Sequence, residues 1–173
     1  REIGLALGEP PTRLGYPPSF FSTMPRLVER LGCTETGSIT GIYTVLVEAD
    51  DLNEPVSDTM RGLLDGHVVL SRELAHRHHY PPIDVLASLS RLMSRVAADK
   101  HQEAAAAFRE LYAVYRDAED LVHIGAYRKG TDERIDRALE KIDAMSAFLR
   151  QGVNDVRPFE DSVAALRQIL GVL

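Results

Sequence analysis

Two short runs of the 173-residue chain hold side chains that could do chemistry. In Tyr80-Pro-Pro-Ile-Asp-Val-Leu-Ala-Ser-Leu-Ser-Arg91 an aromatic ring stands directly before two prolines, and an arginine closes a small polar stretch. The residue before a proline is held extended, so Tyr80 presents a rigid ring that either packs at a strand start or stacks on a ligand. Arg91, after Ser88-Leu-Ser90, either grips a phosphate bidentately or pairs with a neighbouring acid. The second run, Ala49-Asp-Asp-Leu-Asn-Glu-Pro55, gathers Asp50, Asp51, Asn53 and Glu54 behind an apolar stretch. Polar groups at the carboxyl end of a strand in a parallel sheet are where sites form, while composition alone reads a solvated acidic loop. No His or Cys adjoins these acids, and His76, His78 and His79 lack the i, i+4 spacing and nearby carboxylate of a helical metal site. No metal is therefore assigned, and the histidines read as an exposed, mildly basic helix end. A G-x-x-x-x-G-K-[ST] run, whose backbone amides would cradle phosphates, is absent from these residues.

The elements that must position these groups follow from spacing. Arg1 to Gly8 reads as the end of a helix, stopped by Gly8 and Pro10-Pro11. Ser19 is the expected N-cap of a helix to Leu31, with Pro25 inside it as a kink. Ser38 to Val47, rich in Ile, Thr, Tyr and Val, reads as a buried strand. Ser57 is expected to cap a short helix ending at Gly66, and His67 to Leu70 makes a second strand. Strand, helix, strand in this order suggests part of a parallel α/β sheet. From about His101 the spacing is helical. Phe108, Leu111, Tyr115, Leu121 and Val122 form one stripe, Ile135, Leu139, Ile142, Met145 and Leu149 a second, and Phe159, Val163, Leu166 and Leu170 a third, which need one another's apolar faces and so form a small bundle.

Composition bounds the function. Eight of nine prolines and eight of twelve glycines precede residue 98, which places a boundary there between a turn-rich part, 1–98, and a helical part, 99–173. The net charge of -6 recruits neither nucleic acid nor an anionic membrane surface and favours a basic partner. Cys33 stands alone, so it cannot make an intrachain disulfide and suits a reducing cytoplasm. The longest apolar runs, such as Ile42 to Val47, fall well short of the roughly 20 residues of a membrane helix, and no signal peptide opens the chain. A start at Arg1 fits a piece of a longer protein.

Arg-Glu-Ile-Gly-Leu-Ala at the start, Gly15-Tyr-Pro-Pro-Ser19, Gly37-Ser-Ile-Thr40, Asp50-Asp-Leu-Asn-Glu-Pro55, Leu64-Asp-Gly-His-Val-Val-Leu-Ser-Arg72 and Tyr80 to Arg91 together resemble the flagellar protein-export ATPases. That family includes the type III secretion ATPases and, more distantly, the catalytic β subunit of F-type ATP synthase. The resemblance runs from residue 1 to about 151, and Asn53-Glu-Pro with Asp84-Val-Leu-Ala-Ser leans towards the flagellar branch. It implies the C-terminal part of a RecA-like P-loop ATPase core with a parallel sheet, followed by an all-α C-terminal domain. The P-loop and the Mg²⁺-organising acids would lie upstream, so the full-length protein would use ATP and Mg²⁺, while this chain alone would hydrolyse nothing.

The resemblance also implies roles. Arg91 matches the arginine finger that reaches the γ-phosphate bound in the adjacent subunit. Tyr80 matches the tyrosine that stacks on adenine, its approach fixed by Pro81 and Pro82. The second aromatic that closes the adenine pocket in the synthase β subunit is not reproduced in Gly152 to Arg157. Asp50, Asp51, Asn53 and Glu54 match the loop facing the central pore, where a coiled-coil stalk with basic residues would meet a ring of carboxylates. The turn at Ala126-Tyr-Arg-Lys-Gly-Thr-Asp-Glu133 occupies the place of the β subunit's acidic rotor contact, but Arg128 and Lys129 interrupt the acidity and call for a different partner surface. The implied setting is a cytoplasmic homohexamer, peripheral to the inner membrane at the export apparatus, working on export substrates and their chaperones without nucleic acid. The alternative is a binding module for substrates, chaperones or a stalk, with no activity of its own.

Overall fold

The computed structural model describes residues 1–172, which pack as two units, Arg1–Asp65 and one from Gly66 onward. The first unit holds α1 (Glu2–Ala6), α2 (Pro18–Val28), a hairpin of β1 (Gly32–Thr34) and β2 (Gly37–Ile39), and α3 (Pro55–Leu63). Tyr16, Phe20 and Phe21 form an aromatic cluster, with ring centroids 4.7 Å and 5.1 Å apart along the series. Helix α1 approaches the fully buried Pro17 so closely that a Cβ on Gly4 would sit 2.7 Å from its Cγ. A glycine is therefore required there.

Prolines, not serines, start the helices of this unit. Pro17 is the N-cap of α2 and Pro18 its first residue, so the start expected at Ser19 moves upstream. Proline suits this position because its missing N–H would have no partner in a first turn. Helix α2 runs through Pro25, while Ser22 and Thr23 donate their hydroxyls to the Ser19 carbonyl. Helix α3 likewise begins at Pro55 and is capped by Glu54, whose carboxylate accepts from the amides of Val56 and Ser57 at 2.9 and 3.1 Å; Ser57 itself is buried within the helix.

The expected parallel sheet is not seen. The strands among the described residues form two two-stranded antiparallel sheets, β1–β2 and β3–β4. Of the buried strand expected at Ser38 to Val47, only Ser38 and Ile39 join a ladder, as part of β2, and both are exposed. Residues 42–47 still alternate strictly between exposed and half-buried, the period of a strand, with Ile42 and Leu46 almost fully open at 94% and 90%. The β-type patterning was legible, but no described residue provides a ladder partner for this segment, and without neighbours a central strand can be neither hydrogen-bonded nor buried. Ile3, Leu7, Leu14 and Ile39 are exposed in the same unit, where Met60 is the one buried large aliphatic side chain among the described residues.

The second unit opens with β3 (Gly66–Leu70), α4 (Arg72–His76) and β4 (Ile83–Ser90), the two strands running antiparallel. Gly66, expected to end the preceding helix, instead starts β3; a Cβ there would meet the Leu89 carbonyl at 2.6 Å. A short α5 (Met93–Val96) leads to α6 (Asp99–His123), α7 (Glu133–Leu149) and α8 (Phe159–Leu170), the three expected amphipathic helices. Their core is Ala104, Phe108, Tyr112, Met145 and Leu166, with Val85 and Leu86 of β4 packed against it. The buried stripe of α6 thus runs through 104, 108 and 112, one row over from the expected 108, 111 and 115. Asp132 caps α7 through the amide of Arg134 at 2.8 Å, and Gly171 ends α8 in the left-handed conformation that favours glycine. No helix of the described residues is long and apolar enough to cross a membrane.

Two polar groups are buried where α4 meets the bundle. Glu119 of α6 accepts from Arg77 at 2.7 Å, with Arg116 at 3.7 Å, and Glu73 lies 3.0 Å from Arg77. His79, expected to be exposed, is only 6% exposed: its ring bonds the backbone of Leu149 at the end of α7, while Nε2 is buried without a partner. Burial, then the nearby charge of Arg150, lowers its pKa from the ordinary 6.5, so the fold holds the neutral ring.

Two expectations follow. Phe108→Ala should cost the helical unit about 3 to 5 kcal/mol in urea melts, because a ring at the centre of the core leaves a cavity; a loss below about 1 kcal/mol would contradict the assignment of that core. Because the folded His79 resists protonation and the unfolded one does not, stability should fall as pH drops below 6.5 towards the lowered value. In melts above and below that pH, His79→Gln should flatten the fall, and an unchanged slope would contradict the burial described.

Candidate nucleotide-edge site

Within the second unit, Tyr80 is held by backbone bonds from both sides. Ser71 caps α4, and after that helix His78 turns the chain with a positive φ of 56°. The Tyr80–Pro81 peptide is cis. The amide of Gln151, just past α7, donates to the Tyr80 carbonyl at 2.9 Å, and the amide of Ser71 donates to the Pro82 carbonyl at 2.8 Å. Tyr80 is 49% exposed, and its ring meets His78 edge-on at 5.5 Å. A fixed backbone under a half-open ring is what a stacking platform for a planar heterocycle requires. The buried His79 is the anchor beside it, and sequence reasoning missed it because nothing local separates it from His76 and His78.

Arg91 follows the last residue of β4, is exposed, and stands just before Leu92, the N-cap of α5. Leading to it, β4 departs from its ladder: Leu70 pairs with Ile83 and Val69 with Asp84, but His67 then pairs with Leu89. The intervening residues 85–88 are latched internally. Asp84 accepts from the amides of Leu86 and Ala87 at 3.0 and 2.9 Å, and Ser88 donates to the Asp84 carbonyl while accepting from the Val69 amide at 2.9 Å. Because Ile83 and Ser90 oppose the two ends of the five-residue β3, they lie about 14 Å apart at the usual strand rise. Tyr80 therefore precedes one end of the strand pair and Arg91 follows the other.

The remaining sequence candidates fall into two settings. In the first unit, Asp50 has a φ of 60°, and Asp51 accepts from the Asn53 amide at 2.9 Å; all three are exposed. Glu54 differs, since its carboxylate caps α3 and accepts from the Tyr16 hydroxyl at 3.1 Å. Burial first, and that bond second, raise the Tyr16 pKa. In the second unit, Arg128 and Lys129 lie exposed at the tip of the α6–α7 turn, which is closed by Tyr127 donating to Asp136 and by the Gly130 amide donating to the same carboxylate. A shallow groove lined by Val114, Asp117, Leu121, Asp132 and Ile135 runs beside the same end of the two helices.

An exposed phenol ring can stack on a planar base, and an exposed guanidinium can pair with a phosphate or a carboxylate. Among the described residues no group of His, Cys, Asp and Glu is placed to hold a metal ion.

Residues 1–90 match the ATP synthase alpha/beta family, nucleotide-binding domain, and residues 97–168 match the T3SS EscN ATPase C-terminal domain. The chain is 50% identical to the flagellum-specific ATP synthase of Bacillus subtilis (strain 168) over 99% of its own length and 39% of the relative's. It is also 50% identical to the type 3 secretion system ATPase of Xanthomonas euvesicatoria, over 98% of its length and 38% of the relative's. The chain thus spans well under half of the curated relatives it matches, and identity does not separate the flagellar from the secretion branch. Among solved structures it resembles the assembled ATPase EscN of the enteropathogenic E. coli type III secretion system, with a TM-score of 0.95 at 44% identity over 98% of this chain and 41% of that one. EscN in complex with its central stalk EscO gives 0.86 at 42% over 98% and 40%. The chain belongs to the ATP synthase alpha/beta family, in the group that contains the flagellar and type III secretion ATPases.

Proposed function

We propose that this chain is the C-terminal part of a homohexameric ATPase that energises flagellar or related type III protein export. The observation that carries this reading is the placement of Tyr80 and Arg91 at opposite ends of the β3–β4 pair in a chain of this family. A ring and a guanidinium that flank opposite ends of one strand pair suit two different nucleotide sites. Tyr80, held by Gln151 and set by Pro81, stacks on the adenine of its own subunit, while Arg91 reaches the γ-phosphate held by the adjacent one. ATP and Mg²⁺ would be held chiefly by the P-loop and acidic residues of the full-length protein. The present residues orient the base and neutralise charge as it develops on the transferred phosphoryl group. With no amide cradle of its own, this chain alone should not hydrolyse ATP.

The loop at Asp50, Asp51 and Asn53 supplies exposed acidity for the central pore, and Glu54 shapes that loop by capping α3. EscN has been solved with its central stalk, which supports a stalk as the partner here. Arg128 and Lys129, beside the groove between α6 and α7, form a docking surface for export substrates or chaperones. The division at 98/99 between a core part, 1–98, and a helical part, 99–173, is supported by family matches that end at 90 and resume at 97, whereas the compact units of the fold divide after Asp65. Cytoplasmic action at the membrane-bound export apparatus follows from the same reading. The second reading, a binding module without activity, is favoured by that exposed basic tip alone.

In the assembled full-length protein, Arg91→Ala should lower ATP turnover by roughly 10³-fold or more while nucleotide binding is retained. Tyr80→Ala should instead weaken nucleotide binding by roughly 1 to 3 kcal/mol, the worth of one aromatic stack on a base. Unchanged turnover in the first variant would return Arg91 to a structural ion pair and favour the binding module.

A further inference from the structure

Val68 alone on β3 opposes residues 85–88 on β4, so these four are looped out of the ladder. An ordinary bulge adds one residue and bends the strand locally; this one is larger and leaves several carbonyls without ladder partners. His67 of β3 bonds the Ala87 carbonyl at 3.1 Å, and one side chain from another element gathers the other three. Arg109 of α6 donates Nη1 to the carbonyls of Val85 and Ser88, the latter at 3.1 Å, and Nη2 to the carbonyl of Leu86 at 3.0 Å. A guanidinium suits this task because its donors form a rigid planar fork, which a lysine ammonium cannot reproduce. Its neighbour Phe108 lies in the helical core, and Val85 and Leu86 pack on that same core. The loop is thereby seated on α6 by its side chains and tied to α6 by its carbonyls.

The ladder resumes immediately afterwards. Leu89 and Ser90 pair with His67 and Gly66, where the absence of a Cβ lets the strands close up, and Arg91 comes next. The direction in which β4 delivers residue 91 is set by where residues 85–88 are pinned. We infer that Arg109 is a positioning residue for Arg91, so that the helical part of the chain is a working support of the arginine finger. This rests on the reading of Arg91 as that finger.

The test uses the assembled full-length protein, measuring kcat, the KM for ATP, thermal melting and amide exchange of residues 85–90. Arg109→Gln should lower kcat about 10- to 100-fold, the scale of an ångström-size misplacement of a catalytic group. KM and melting should stay close to the unsubstituted protein, and exchange in 85–90 should speed up. On an Arg91→Ala background it should have no further effect on kcat, because two residues acting through one group are not additive. Should Arg109→Gln fail to fold, Arg109→Lys keeps the charge and helix preference but not the fork, and should still lose at least about threefold in kcat. Full kcat in the folded Gln variant, or in the Lys variant where Gln does not fold, would overturn the inference, as would an undiminished fall on the Arg91→Ala background. If Arg91→Ala alone leaves turnover intact, the finger reading fails, and this inference with it.

Discussion

The second unit depends on how an irregular strand is joined to a helical core. Residues 85–88 of β4 lie outside the ladder, so their backbone groups take partners elsewhere. Asp84 takes the amides of Leu86 and Ala87, His67 of β3 takes the Ala87 carbonyl, and Arg109 of α6 takes the carbonyls of Val85, Leu86 and Ser88. Val85 and Leu86, meanwhile, occupy the surface of the Phe108 and Met145 core. Polar satisfaction and apolar burial thus fix the same short segment against the same helix. At the other end of the strand pair, the Tyr80 carbonyl is tied to Gln151 and the His79 ring to Leu149, both at the end of α7. The helices hold both ends of the strand pair that carries the candidate nucleotide contacts.

The first unit is built to a different balance. Its helix starts are well made, with Glu54 capping α3 and Pro17 wedged against Gly4, yet Ile42 and Leu46 stand almost fully open. In its acidic loop Asp50 and Asp51 are exposed, while Glu54 is committed to the helix it starts.

What could be read from the sequence was whatever depends on neighbours along the chain. The three helices after residue 98 are legible in their apolar spacing, and the α7 stripe from Ile135 to Leu149 faces inward as expected. Tyr80, Arg91 and the acidic loop stood out through ordered motifs that resemble a known family. What could not be read depends on distant partners. The 38–47 segment has strand patterning, but its pairing is decided by neighbours that no local pattern reveals. Glu119 is buried because Arg77, from a distant part of the chain, meets it, and His79 is buried because α7 ends above it. Arg109 carries no local signal at all, since one arginine on an exposed helix face looks like any other until the strand it holds is in view. The caps at Ser19 and Ser57 failed for a smaller reason: prolines upstream had already started those helices.

The central claim is that one chain serves two nucleotide sites, its own through Tyr80 and its neighbour's through Arg91. Co-assembly of full-length subunits tests it most directly, mixing one population carrying Arg91→Ala with another whose phosphate-binding loop is disabled. Neither population should hydrolyse ATP appreciably alone. In mixed hexamers an intact nucleotide pocket on the first kind of subunit meets an intact Arg91 from the second, and turnover should reappear in proportion to such pairings. If no mixture regains activity while both populations still assemble together, Arg91 does not act on a neighbouring site, and the two-site account is wrong.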